Sequence, residues 1–151
     1  MALPQAKSDV LAARIAGLSH AQSGWLGVAQ ADALARLTAM GMPVKRDEYW
    51  RYTDPASLTA AEPPAAAVFE PGDESPAFGA IDRLKIVFVD GVFDATQSDD
   101  LTMAGVEIDR LATAGTKDIH WARDLYAVLE ARGQTPVQRP LAVLNSAFAT
   151  D

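Results

Sequence analysis

At 151 residues, 49% apolar and 22% charged, the chain has the composition of one globular domain, a size that buries about 68–70% of its unfolded surface. A net charge of −7 disfavours nucleic-acid and anionic-membrane partners, which call for clustered Lys and Arg. With no cysteine, disulfides, a thiol nucleophile and Cys-ligated zinc or iron–sulfur groups are excluded.

The opening MALPQAKSDV lacks the basic and apolar segments of a secretory signal. The uncharged stretch Ile15–Ala31 carries Ser, His and Gln, so it does not read as a membrane span. A cytoplasmic protein is the expectation. Ser8 and Asp9 mark a helix start, followed at helical spacing by Val10, Leu11, Ile15 and Leu18. Gly24 and Gly27 punctuate a joint. A second helix is predicted over 28–40, with Ala33, Leu34, Leu37 and Met40 on one face and Asp32 four residues before Arg36. Gly41 and Pro43 end it. Two short amphipathic helices with a tight joint predict an antiparallel pair.

Residues 55–80 hold five of the nine prolines, eight alanines and no Lys or Arg. This composition predicts an extended acidic connector, pinned at most by Val68, Phe69 and Phe78. In LKIVFVDGVFDA, a β-branched apolar run meets Asp90-Gly91, the strongest short-range signal for a hairpin. GVEI (105–108) is a weaker strand candidate. Asp118 is placed to cap a helix in which Trp121, Leu125, Val128 and Leu129 share a face, ending at Gly133. Pro140 suits the first turn of a last helix carrying Leu141, Leu144 and Phe148. That apolar face runs almost to residue 151, which reads as a chain cut short.

Catalytic and metal signatures are weak throughout. His20 and His120 have no ligand partner at metal spacing. AGTKD (114–118) lacks the first glycine and the Gly-Lys adjacency of a phosphate loop, and no serine sits in a nucleophile elbow. The acid pairs Asp99–Asp100 and Glu107–Asp109 read as solvated turns. No catalytic residue, metal ligand or cofactor is assigned.

The densest chemistry is RDEYWRYTDP (46–55), where three of the eleven aromatics fall in four residues. Burying one such ring is worth at most about 4–6 kcal/mol, so packing of the helical pair onto the next part of the chain is the first reading. Tyr49 and Tyr52 would share one side of a helix that Thr53-Asp54-Pro55 breaks. The second reading is a partner contact, for which Trp, Tyr and Arg are the enriched types.

GMPVKRDEYWRYTD (41–54) resembles the N-terminal signature of the SufB/SufD family of iron–sulfur cluster assembly proteins, through Gly41, Pro43, Arg46, Glu48, Trp50, Arg51, Tyr52 and Thr53. IVFVDGVF (86–93) is similar to the family's strand followed by Asn-Gly or Asp-Gly, and LAVLNSAFATD (141–151) resembles its Leu-Asn-x-Ala-Phe segment. The early EYWRYT, the VFVDG hairpin and the lack of cysteine favour the SufD branch. The resemblance implies a non-catalytic scaffold subunit working with SufB-like and SufC-like (ATPase) partners. It implies an α+β chain with a helical part at 1–54, a connector at 55–83, and the start of a core at 84–151. That core would hold a hairpin, strands leading into a right-handed β-helix missing from this chain, and two further helices. Family residues for cluster assembly and SufC binding have no counterpart here. A stand-alone interaction module using Tyr49, Trp50 and Tyr52 is the alternative.

Overall fold

The computed structural model describes residues 4–21, 23–62, 77–89, 92–133 and 137–150. The chain divides into a helical unit, residues 1–64 with 110–150, and an extended unit, residues 65–109. Among the described residues there are six α-helices, two 3-10 turns and one two-stranded antiparallel hairpin, an α+β composition.

In the helical unit, α1 (Gln5–Ile15) starts a turn earlier than Ser8 predicts. Pro4 precedes it, and no side chain caps it. The fixed φ of proline suits a helix start, which leaves Ser8 inside the first turns. α2 (Gly24–Met40) likewise takes in the glycine joint. Gly24 has φ 69°, and a Cβ there would stand 2.3 Å from the Gly115 carbonyl oxygen. Only glycine permits both the turn and that approach. Gly41 ends α2 as expected, at φ 65°, its N–H bonded to the Leu37 carbonyl at 2.8 Å.

The predicted α1–α2 pairing is not the main contact. α2 packs chiefly on α6 (Pro140–Phe148), a hundred residues away in sequence. α6 opens on Pro140 as predicted and buries Val143, Leu144 and Ala147, with Leu141 and Phe148 packed at the edge of the core. The core joins these to Leu11, Ala33, Leu37, Met40 and Met42. A 3-10 turn, Glu48–Trp50, and the short α3 (Ala56–Thr59) come after α2. α3 lies within the stretch expected to be a plain connector and packs on α1.

The helix predicted from Asp118 to Gly133 is broken. α4 (Leu111–Ala114) precedes it. A 3-10 turn, Trp121–Asp124, is capped by His120, whose Nδ1 accepts the Ala122 N–H at 3.2 Å. Ala127 then takes φ 59°, and α5 (Val128–Arg132) comes next, ending at Gly133. Trp121, Leu125 and Leu129, expected on a buried face, are exposed.

In the extended unit, β1 (Phe88–Val89) pairs with β2 (Val92–Phe93) in the register Phe88↔Phe93 and Val89↔Val92. Two residues separate the strands, as predicted; that pair, Asp90-Gly91, lies outside the described residues. So do Val68 and Phe69. Phe78 is exposed and does not pin the connector. GVEI forms no strand; the chain turns over 101–105, with the Val106 N–H on the Leu101 carbonyl at 3.0 Å.

Candidate partner-binding surface

The signature segment divides into a buried half and an exposed half. Gly41, Met42, Pro43 and Pro55 are buried. Pro43 and Pro55 have no N–H to leave unsatisfied, and Met42 inserts its thioether into the core. Asp47 fixes the turn between these anchors. Its carboxylate accepts the Val44 N–H at 3.1 Å and pairs with Lys7 of α1 at 2.7 Å. The Trp50 N–H closes on the Asp47 carbonyl at 2.9 Å, and the Thr53 N–H on that of Trp50 at 3.0 Å.

This frame pushes the aromatics outward. Tyr49 is 62% exposed and Tyr52 90%; Trp50 is half-buried. Tyr49 meets Trp50 edge-on, ring centroids 6.0 Å apart. The Arg51 guanidinium lies 5.4 Å from the centre of the Tyr52 ring and 3.5 Å from Glu48. Arg46, Glu48, Arg51 and Thr53 are all exposed. The expectation that Tyr49 and Tyr52 share one side of a packed helix is therefore not met. The helical turn ends at Trp50, before Tyr52 is reached, because the Thr-Asp-Pro sequence beyond it cannot extend it. The result is a ledge of two exposed tyrosines with cationic neighbours, anchored from behind by Pro43, Met42 and Pro55. Chemically it offers apolar faces, hydroxyl tips and a preset cation–π pair to another surface.

A second feature has no counterpart among the sequence motifs. Gln30 is buried in α2, and its amide joins three segments. Its oxygen accepts the Ala21 N–H at 2.7 Å, and its nitrogen donates to the Ala149 carbonyl at 2.6 Å and toward the Tyr126 hydroxyl at 3.4 Å. Tyr126 in turn donates to the Ser146 carbonyl at 2.5 Å. Burial raises the Tyr126 pKa, against the lowering effect of the Gln30 amide. Beside Gln30 lies a half-open cavity of about 310 Å³ bordered by Ser19, His20, Ser23 and Thr150. A lone buried Gln among apolar helix positions is the signal that could have revealed this network.

The remaining sequence candidates serve local structure. His20 packs edge-on against Phe148, at 6.1 Å, and His120 is a cap. Asp99 accepts the Lys85 N–H at 2.6 Å, and Asp100 accepts the Thr102 N–H at 3.0 Å. Among the described residues no group of three His, Asp or Glu could hold a metal ion, and no helix is long and apolar enough to cross a membrane. Compared with family models, curated proteins and solved structures, the chain matches none of them.

Proposed function

We propose that the chain is an N-terminal segment of a SufD-like scaffold subunit for iron–sulfur cluster assembly, non-catalytic by itself and working beside SufB-like and SufC-like subunits. The three ordered motifs of the sequence carry this reading. The structure supports it through one observation: a two-residue-per-strand hairpin whose Phe88, Val89 and Val92 are exposed. Isolated hairpins are marginal in water and gain stability when a sheet continues from them. A β-helix that continues this hairpin is the finer part of the proposal. Iron–sulfur clusters are cargo of the assembled scaffold in this reading, and the residues of this chain contribute surface rather than ligands.

The test is depletion of the chain in its own cells under iron limitation, with the activity of an oxygen-sensitive [4Fe–4S] dehydratase as readout. The proposal expects that activity to fall while the apoenzyme level holds and to recover when the chain is restored. Unchanged activity after full depletion would sink it.

The exposure of Tyr49 and Tyr52 favours a second reading, a partner-binding module that uses the Tyr49/Trp50/Tyr52 cluster. Tyr52→Ala then leaves the unfolding midpoint in place, since a 90% exposed ring contributes within about 0.5 kcal/mol. The same change weakens binding to the partner about tenfold or more. A large loss of stability would instead assign the ring to packing.

A further inference from the structure

In the extended unit, the chain leading into β1 has one edge closed and one edge open. The Lys85 N–H bonds to the Asp99 carboxylate at 2.6 Å, and the Lys85 carbonyl accepts the Asp99 N–H at 2.9 Å. The Val87 N–H bonds to the Ser98 hydroxyl at 2.9 Å, and the Val87 carbonyl accepts the Asp94 N–H at 2.9 Å. Alternate residues of an extended strand direct their backbone groups to opposite edges. With Lys85 and Val87 turned toward residues 94–99, the N–H and C=O of Ile86 and Phe88 point the other way. Among the described residues, none bonds to the Ile86 backbone. We propose that this open edge takes up an extended, basic segment of a partner protein as an added strand.

The backbone sets the form of the partner. An edge with free donors and acceptors at every second residue is matched by another strand, whose own groups repeat at that spacing. Edges that stay unpaired are commonly blunted by proline or by charged side chains, whereas the outward positions here are Ile86 and Phe88. Their side chains share one face with Leu84, since successive side chains alternate. Phe93 joins that face from β2, its ring centroid 5.8 Å from that of Phe88. Leu84 is 43% exposed, Ile86 39% and Phe88 55%, so an arriving strand meets apolar side chains beside the open backbone.

Charge sets the partner's composition. Residues 65–109 carry ten acidic and two basic side chains. Pairing with a second copy through this edge would bring two such surfaces together and is opposed by repulsion, while a segment rich in Lys and Arg is attracted. A sheet that grows past β2 leaves this edge of β1 free. The inference therefore does not rest on the SufB/SufD reading and survives its failure.

An NMR titration of the 151-residue chain tests it, with a short synthetic peptide of alternating Lys and Val as the probe. At about 1 mM peptide the Ile86 and Phe88 amides are expected to shift and to exchange with solvent at least about tenfold more slowly. The same peptide N-methylated throughout keeps its charge and loses its backbone donors, and is expected to bind at least about tenfold more weakly. A peptide of alternating Glu and Val is expected to leave both amides unmoved. Ile86→Pro removes an outward donor and no internal bond, a change that edge strands tolerate. It is expected to weaken binding by a similar factor while the Asp94 amide stays slow to exchange. If that variant disturbs the hairpin, the methylated peptide carries the test. Ile86 and Phe88 amides unmoved by the Lys-Val peptide overturn the proposal. So does binding that survives N-methylation, which makes the contact one of charge alone, and so does equal binding of the Glu-Val peptide.

Discussion

Gln30 belongs to no motif and carries no charge, yet it fixes the chain between Ser19 and α2 to the end of α6 through two short hydrogen bonds. Replacing it with Leu keeps the volume and strands the Ala21 N–H and the Ala149 carbonyl. Each unsatisfied group costs about 1–3 kcal/mol, so Gln30→Leu is expected to lower stability by about 2–6 kcal/mol, read as a fall in the urea midpoint. A shift below about 0.5 kcal/mol would show that water substitutes for the amide. Tyr126 is the neighbouring test. Burial raises its pKa above the ordinary 10.0, so the folded state favours the neutral phenol. The stability this gives is fully present below pH 10.0 and is lost as pH rises through the higher folded value. Tyr126→Phe is expected to remove that alkaline loss of stability. Its persistence in the variant would assign the loss to another group.

Among the elements, the Asp94 turn in the extended unit offers a titration free of packing effects. Its carboxylate accepts the Thr96 hydroxyl at 2.6 Å, the Gln97 side chain at 2.7 Å and the Thr96 N–H at 2.8 Å. The Thr96 hydroxyl first, then the Gln97 amide, hold its pKa down at about 2. The stabilisation is present above pH 3.8 and lost as pH falls toward about 2. An NMR titration of the Asp94 carboxyl is expected to give a midpoint near 2; one near 3.8 would mean the turn is open in solution. Asp94 and Thr96 carry no sequence signal, because hydrogen bonding of this kind is set by backbone angles that composition does not report. Pro140, by contrast, constrains the backbone itself, and the start of α6 results from it. The segment 118–133 misled for a third reason. Trp121, Leu125 and Leu129 recur every four residues, as a buried helix requires, but the break at Ala127 interrupts the helix. Spacing states which residues could share a side and is silent on whether anything covers them.

For the whole molecule, charge and burial separate two kinds of surface. The helical unit, with eleven basic and nine acidic residues, is close to neutral and holds the core formed by α2, α6 and α1. The pairing of α2 with α6 was invisible in sequence because periodicity defines the face of each helix and never its partner. The signature segment was legible as chemistry but not as placement. Its Pro and Met anchors take the buried positions, and the tyrosines, the larger apolar surfaces, stand outside. That inversion leaves Tyr49 and Tyr52 open to solvent, the observation on which the partner-binding reading rests.

Purification of the chain from its own cells through a tag at its native locus, with its companions quantified by mass spectrometry, tests the scaffold reading most directly. That reading predicts SufB-like and SufC-like subunits in comparable molar amounts, retained through washing and reduced by Tyr52→Ala if the ledge is part of the contact. A chain that purifies free of both, from cells in which both subunits are abundant, would contradict it.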